Sequence, residues 1–250
     1  NYVPGPCITQ MDLREHIFNR FLADIGQYNF KPAAHLQNET IQAMKNEIYT
    51  KLPLFRNSSP KVKIPLKEEM GMRLKDKVAI ITGSTSGMGR ATAILFAREG
   101  AKVVVTGRNE KRARAVVDQI KAEGNEATYI VVDMLKTEDL KKIVDLTLDK
   151  YGTVDILYNN AGLLSMTPIQ QLTLQEWDDI MRVNVTAPLV LSQLVAPIMK
   201  AKGKGVIINT GSVAGAHARH GLAAYVTSKH ALSGLTKSMA NEYGPEIRVN

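Results

Sequence analysis

From Lys77 onward, short apolar runs rich in β-branched residues alternate with amphipathic stretches that have helical spacing. The apolar runs show little polar–apolar alternation, so both faces of each predicted strand are expected to be buried. Strands of this kind separated by helices are typical of a parallel sheet covered on both faces, a doubly wound α/β fold. The predicted strands are 78–81, 103–106, 127–132, 156–158 and 206–209, and the predicted helices are 90–98, 111–123, 137–150 and 173–200.

Residues 1–69 have a different pattern. Thr9 and Asp12 resemble a capping box, and the apolar residues that follow share one helical face. A second short helix is predicted after Asn38, and residues 53–65 combine prolines and lysines as an extended linker does. We therefore divide the chain into a helical extension with its linker, residues 1–69, and an α/β domain, residues 70–250.

A glycine-rich turn follows the first strand and opens the first helix of that domain. Residues 82–89 read Thr-Gly-Ser-Thr-Ser-Gly-Met-Gly. Glycines at such a turn let the backbone approach a pyrophosphate, which then lies at the positive end of the helix. A glycine-rich turn without function has the same composition, but the strand before it and the helix after it favour a dinucleotide site.

The spacing Gly-x-x-x-Gly-x-Gly resembles that of the short-chain dehydrogenase/reductase family. Three further motifs support the resemblance: Asn-Asn-Ala-Gly at 159–162, Ser212 after the fifth strand, and Tyr-x-x-x-Lys formed by Tyr225 and Lys229. The resemblance covers about residues 73–250. It implies a Rossmann-type oxidoreductase, similar to 3-oxoacyl reductases, that uses NAD(P) to transfer a hydride between nicotinamide and a ketone or secondary alcohol.

The chemistry of these residues agrees with that expectation. Residues four apart share a helix face, so Tyr225 and Lys229 should meet at one site, where the ammonium favours the tyrosine anion. A serine hydroxyl such as that of Ser212 can bind a carbonyl oxygen as negative charge develops. The resemblance implies that Tyr225 is the acid/base, Ser212 orients the substrate oxygen and Lys229 also binds the nicotinamide ribose. It further implies that Asn184 holds a proton-relay water, the alternative being a surface amide.

The end of the second strand bears on the choice of cofactor. Gly107 stands where an NAD-type acid would be, and Arg108 follows it. A guanidinium suits a 2′-phosphate, which favours NADP over NAD, although a solvated arginine would look the same. Asp133 matches the family's adenine-contacting aspartate. The full set of residues that we expect to bind the cofactor is Thr82, Gly83, Ser86, Gly87, Met88, Gly89, Arg108, Asp133, Asn160, Ala161, Gly162, Tyr225 and Lys229.

Composition narrows the expected partners. The net charge is +8 and the pI about 9.5, but no basic run reaches five residues, which favours an enzyme of phosphorylated cofactors over a nucleic-acid binder. The single cysteine, Cys7, permits no internal disulfide and fits a reducing, cytoplasmic setting. The apolar stretch at 188–199 is too short to span a bilayer, and isolated histidines argue against a metal site. We therefore expect a small-molecule substrate and neither nucleic acid nor membrane as a partner.

The resemblance stops at Asn250, where the family begins another strand. We expect further chain to supply the substrate lid and to complete a homodimer or homotetramer. Two interpretations follow: an enzyme, or a truncated, inactive cofactor-binding or interaction module. The complete set of Asn184, Ser212, Tyr225 and Lys229 favours the enzyme.

Overall fold

The computed structural model of the chain describes residues 72–215, 217–218 and 220–250. The helices, capping box and linker predicted within residues 1–69 lie outside the described residues, as does Cys7. They and the boundary near residue 70 remain predictions.

A six-stranded parallel sheet forms the centre of the α/β domain, with the strand order β3-β2-β1-β4-β5-β6. All five predicted strands are present, each within one residue of its predicted bounds, and a short sixth strand follows. The doubly wound Rossmann-type fold is therefore confirmed. The strands are β1 (Val78–Ile81), β2 (Lys102–Gly107), β3 (Ala127–Val131), β4 (Ile156–Asn159), β5 (Gly205–Asn209) and β6 (Ile247–Val249).

Helices cover both faces of this sheet. They are α1 (Gly87–Arg98), α2 (Glu110–Ala122), α3 (Thr137–Tyr151), α4 (Leu174–Met181), α5 (Ala187–Ala201) and α6 (Ala223–Tyr243). The helix predicted at 173–200 is present as the continuous helical run Leu174–Ala201. The sequence did not predict the π-helical turn, Arg182–Thr186, that separates α4 from α5 within this run. Pro188 explains part of this break, since proline has no N–H to donate to the carbonyl four residues earlier, that of Asn184.

The pleat of β1 divides the core between the two faces. Ile80 packs with residues of α3 and α5, such as Leu140 and Leu191, on one face. Ala79 and Ile81 pack on the opposite face with residues of α1 and α2. All four residues of β1 are buried, which is why the strand reads as a continuous apolar run.

The continuous helical run Leu174–Ala201 meets the length and composition of a membrane span. Half of its most apolar window, 50%, is nevertheless buried inside the protein. Leu191, Val195 and Met199 are fully buried in the core against the sheet. This burial is typical of a core helix, whose apolar face is covered by protein.

The strand order places the functional crevice. The chain moves outward from β1 to β2 and β3, then returns to place β4 on the other side of β1. The loops that leave β1 and β4 therefore diverge to opposite faces of the sheet. A crevice opens between them at the carboxyl ends of the strands, where ligands bind in open α/β sheets.

Candidate active site

The glycine-rich loop fits a close approach of backbone to ligand. Gly83 and Gly87 have φ values of 62° and 54°, in the left-handed region that favours glycine. A Cβ on Gly83 would lie 2.9 Å from Ala161 Cα, and one on Gly89 would lie 2.6 Å from the carbonyl oxygen of Gly83. These glycines keep the loop packed against the loop after β4 and leave the start of α1 open to the crevice.

Thr82 and Asn160 join the two loops. Thr82 Oγ1 accepts hydrogen bonds from the N–H groups of Asn160 (2.9 Å) and Ala161 (3.0 Å). In return, Asn160 Nδ2 donates to the carbonyl oxygens of Thr82 (2.9 Å) and Gly83 (3.3 Å). The Thr82 hydroxyl therefore holds the two loops together, and the contact of Thr82 with the cofactor stays a prediction.

A cleft of about 740 Å³ lies at the crevice, a volume within the usual range for small-molecule sites. Its lining lacks four of the residues predicted to bind the cofactor, namely Thr82, Gly87, Tyr225 and Lys229. The predicted residues that do line it are Gly83, Ser86, Met88, Gly89, Arg108, Asp133, Asn160, Ala161 and Gly162. Gly107, which the sequence marked as the place of an absent acid, also lines it, and sequence reasoning missed others, notably Thr85 and Arg112.

Two arginines give the β2 end of this cleft a positive charge. Arg108 and Arg112 both line the cleft and are exposed. Neither forms an ion pair within the part of the chain that the structure describes. Asn109 caps α2 by accepting a hydrogen bond from the N–H of Arg112 (2.9 Å), which fixes the turn that carries both arginines. Arg108 lies just before the N-cap of α2 and Arg112 in its first turn, so the cap brings both to the same end of the cleft.

Asp133 occupies the loop after β3 and lines the cleft, and its contact with adenine stays a prediction. Its Oδ1 accepts a hydrogen bond from the N–H of Leu135 (3.1 Å), and its own N–H donates to Asp139 Oδ2 (2.9 Å). Hydrogen bonds from Lys142 and from the Asp133 backbone lower the pKa of Asp139. These bonds stiffen the loop where it meets the cleft.

Tyr225 and Lys229 come together on α6, as their spacing predicted. Lys229 Nζ lies 5.7 Å from the centre of the Tyr225 ring. The Lys229 side chain is buried, and its Nζ donates a hydrogen bond to the carbonyl oxygen of Thr210 (2.7 Å), just beyond β5. Burial lowers the pKa of Lys229, because desolvation disfavours the ammonium form.

Ser212 and Asn184 approach α6 from two other elements. Ser212 follows β5, and its Oγ accepts a hydrogen bond from the N–H of Ala214 (3.1 Å), a bond that leaves the hydroxyl hydrogen to be donated elsewhere. Asn184 is only 1% exposed, so the surface-amide alternative was wrong. Its Oδ1 accepts from the Leu163 N–H (2.7 Å), and its Nδ2 donates to the Leu163 carbonyl (2.9 Å) and to Ser228 Oγ (2.9 Å).

This arrangement has counterparts among known proteins. The sequence model described as short chain dehydrogenase matches residues 77–250. The chain belongs to the short-chain dehydrogenase family. It is accordingly an NAD(P)-dependent oxidoreductase that acts on ketones or alcohols, as the resemblance implied.

Individual relatives resemble this dehydrogenase over most of its length. The A-factor type gamma-butyrolactone 1′-reductase (1S-forming) of Streptomyces virginiae is 42% identical over 71% of this chain and 70% of its own. A 3-oxoacyl-acyl-carrier-protein reductase of Thermotoga maritima is 34% identical over 72% of this chain and 71% of its own. The crystal structure of a metagenomic short-chain oxidoreductase in complex with NADP is 36% identical, with a TM-score of 0.69, over 71% of this chain and 81% of its own.

The described part of this dehydrogenase does not bring a set of potential metal ligands together. Within residues 72–250, apart from the two positions left out, no group of three or more His, Cys, Asp or Glu side chains is placed to hold a metal ion. His217 and His220 are exposed on the loop that precedes α6.

Proposed function

We propose that this short-chain dehydrogenase prefers NADP and interconverts a small ketone and its secondary alcohol, with Tyr225 as the acid/base. The observation that carries the proposal is the approach of the Lys229 ammonium to the Tyr225 ring, 5.7 Å from its centre. A cation at that distance stabilises negative charge on the phenol, which a proton-transferring tyrosine must carry.

Tyr225 and Ser212 act on the carbonyl oxygen of the substrate, and Lys229 and Asn184 support Tyr225. When bound, the nicotinamide supplies or accepts the hydride at the carbonyl carbon. In the reductive direction, Tyr225 gives its phenolic proton to the substrate oxygen, and the Ser212 hydroxyl donates a hydrogen bond to that oxygen. Lys229 stabilises the phenolate that remains. Asn184 holds the loop after β4 against α6, and the resemblance gives it a relay water through which Tyr225 regains its proton.

The cofactor preference is supported by the charges at the end of β2. The last residue of β2 is Gly107 and not an acid. Arg108 and Arg112 line the cleft beyond it. An acid would bind a ribose 2′-hydroxyl, whereas two guanidinium groups with no ion-pair partner among the described residues suit a 2′-phosphate. The NADP bound to the metagenomic relative supports the same preference.

We also propose an assembly and a location. The family resemblance supports a homodimer or homotetramer that acts on small carbonyl compounds, without nucleic acid or membrane as a partner. The single cysteine supports a cytoplasmic location. Light scattering of the purified protein tests the assembly, and a monomer at micromolar concentration would contradict it.

The catalytic assignment is tested with Tyr225→Phe, which deletes the hydroxyl and keeps the ring. We expect NADPH-dependent reduction across a panel of ketones to be nearly abolished, while NADPH fluorescence titration shows that the cofactor still binds. Tyr243→Phe, on the same helix, is the matched control and should keep full activity. Substantial turnover by Tyr225→Phe would refute the assignment. An unaltered chain that binds NADPH but reduces no ketone would instead support the alternative of an inactive cofactor-binding module.

A further inference from the structure

Ser228 makes two hydrogen bonds that join the residues proposed for catalysis. It lies inside the Tyr-x-x-x-Lys motif, directly before Lys229, and its relative exposure is 0%. Its Oγ donates to the carbonyl oxygen of Tyr225 (2.7 Å) and accepts from Asn184 Nδ2 (2.9 Å). The hydroxyl therefore uses its hydrogen on one partner and a lone pair on the other.

Asn184 carries the connection to the cofactor cleft. Its carboxamide exchanges two hydrogen bonds with the backbone of Leu163, and Leu163 lines the cleft next to Gly162. With the bond to Ser228, both N–H hydrogens of the Asn184 amide are used. A continuous chain of hydrogen bonds thus runs from the cleft wall through the π-helical turn to the backbone of Tyr225.

We propose that Ser228 is a positioning residue: its hydroxyl fixes the Asn184 carboxamide and, with it, the placement of Tyr225 relative to the cofactor loop. The proposal rests on the proposed function, in which Tyr225 transfers the proton. Without the hydroxyl, one Asn184 N–H would be left without an acceptor in a buried place, and the amide would lose one of its three restraints. The position of α6 relative to the loop after β4 would then be less well fixed, close to where the proton and the hydride are transferred to the substrate.

The same helix contains a serine that separates this role from ordinary helix packing. Ser233 Oγ also donates to a main-chain carbonyl, that of Lys229 (2.9 Å), but Ser233 is exposed and shares no hydrogen bond with Asn184. Its removal deletes a comparable helix-internal bond and leaves the chain from the cleft to Tyr225 intact. Ser233→Ala is therefore the matched control for Ser228→Ala.

The first experiment compares these two variants with the unaltered protein. Ser228→Ala should lower kcat by about ten- to a hundredfold, the range expected when a reacting group is displaced slightly, while the KM for NADPH and its Kd by fluorescence stay within about twofold. Ser233→Ala should change none of these values. A Ser228→Ala protein that folds, binds NADPH and keeps its kcat would overturn the proposal.

The second experiment asks whether Ser228 acts through Asn184. In a double-mutant cycle, Asn184→Ala with Ser228→Ala should lose no more kcat than Asn184→Ala alone, because the two side chains serve one connection. Losses that multiply would show that Ser228 acts independently and would refute the proposal.

Folding and the proposed function are controlled separately. If Ser228→Ala does not fold, Ser228→Cys provides a second test, because a thiol of similar size is a weaker donor and acceptor than the hydroxyl. A lowered kcat with normal NADPH binding supports the proposal, and a Ser228→Cys kcat equal to that of the unaltered protein contradicts it. An inactive unaltered protein would refute the proposed function, whereas an active one with an unaffected Ser228 variant would refute only the role of Ser228.

Discussion

The side chain of Thr85 fills the space into which a Cβ on Gly107 would project. Such a carbon would lie 2.5 Å from Thr85 Cγ2, 2.9 Å from its Oγ1 and 3.3 Å from its Cβ. Threonine is branched at Cβ and has few χ1 rotamers, so it cannot easily move aside. The glycine loop therefore excludes a side chain, and with it an acid, at the position where NAD-specific relatives of the fold bind the ribose.

This relationship predicts that a change of cofactor preference requires two substitutions. Gly107→Asp alone should weaken NADPH binding by about tenfold or more and bring no gain in NADH binding, since the new carboxylate has no room. Adding Thr85→Ala should then improve NADH binding by about tenfold, the value of one hydrogen bond to a charged group. Fluorescence titration with both cofactors measures the effect. Equal NADH affinity in the single and double variants would show that Thr85 does not control this position.

The two cleft arginines should act on NADPH alone. Arg108→Ala is expected to weaken NADPH binding by about 1–3 kcal/mol, and Arg112→Ala by a similar or smaller amount, with NADH binding nearly unchanged. Lys111→Ala serves as control, because Lys111 lies on the same turn but does not line the cleft. Equal affinities of the unaltered protein for NADPH and NADH would mean that both arginines are only surface charges.

Substitution by alanine should be harmful at one helical glycine and stabilising at another. A Cβ on Gly89, in the first turn of α1, would meet the Asn160 side chain and the Gly83 carbonyl, so Gly89→Ala should disrupt the loop and abolish measurable NADPH binding. A Cβ on Gly234, in α6, meets nothing within 4 Å. Gly234→Ala should raise the free energy of unfolding by about 0.5–1 kcal/mol, the difference in helix propensity. Urea denaturation and cofactor titration check the pair, and a neutral Gly89→Ala would contradict the packing argument.

Asp155 should make stability depend on pH in the acidic range. Burial would raise the pKa of Asp155, but hydrogen bonds from Lys202 (2.6 Å) and from the Val78 N–H (2.9 Å) outweigh it and hold the pKa below its usual value. A lowered pKa in the folded state gives a stabilisation that is complete above the unfolded pKa, about 3.9, and is lost as the pH falls through the folded pKa.

Lys202→Met should therefore lower the free energy of unfolding at pH 7 by about 1–2 kcal/mol, a value reduced by the partial exposure of Lys202. The deficit should begin to shrink below about pH 4, where Asp155 is protonated in the unfolded chain, and should disappear once the pH falls below the lowered pKa of the folded state. Lys204→Met, two residues away and exposed, is the control. Denaturation curves from pH 7 to pH 3 measure it, and a deficit that does not depend on pH would assign the loss to packing.

The sequence predicted the sheet well because its strands are buried on both faces and bounded by clear turns. It failed at the π-helical turn around Asn184, where Pro188 breaks the hydrogen-bond ladder without interrupting the apolar pattern. It placed Tyr225 beside Lys229, since a helix fixes that proximity within four residues. Asn184 lies 44 residues before Ser228, and Gly107 lies well beyond Thr85 along the chain, so only the folded arrangement reveals these two contacts.

The hydrogen bonds between Thr82 and Asn160 connect the loops after β1 and β4, where the two halves of the sheet diverge. Each half alone would present a loop with many conformations, and a ligand would have to restrict both at once. With the loops tied to each other by the protein's own hydrogen bonds, that restriction is completed during folding. We therefore expect these two loops to lose little conformational entropy when a dinucleotide binds, which leaves shape and charge complementarity to set the affinity.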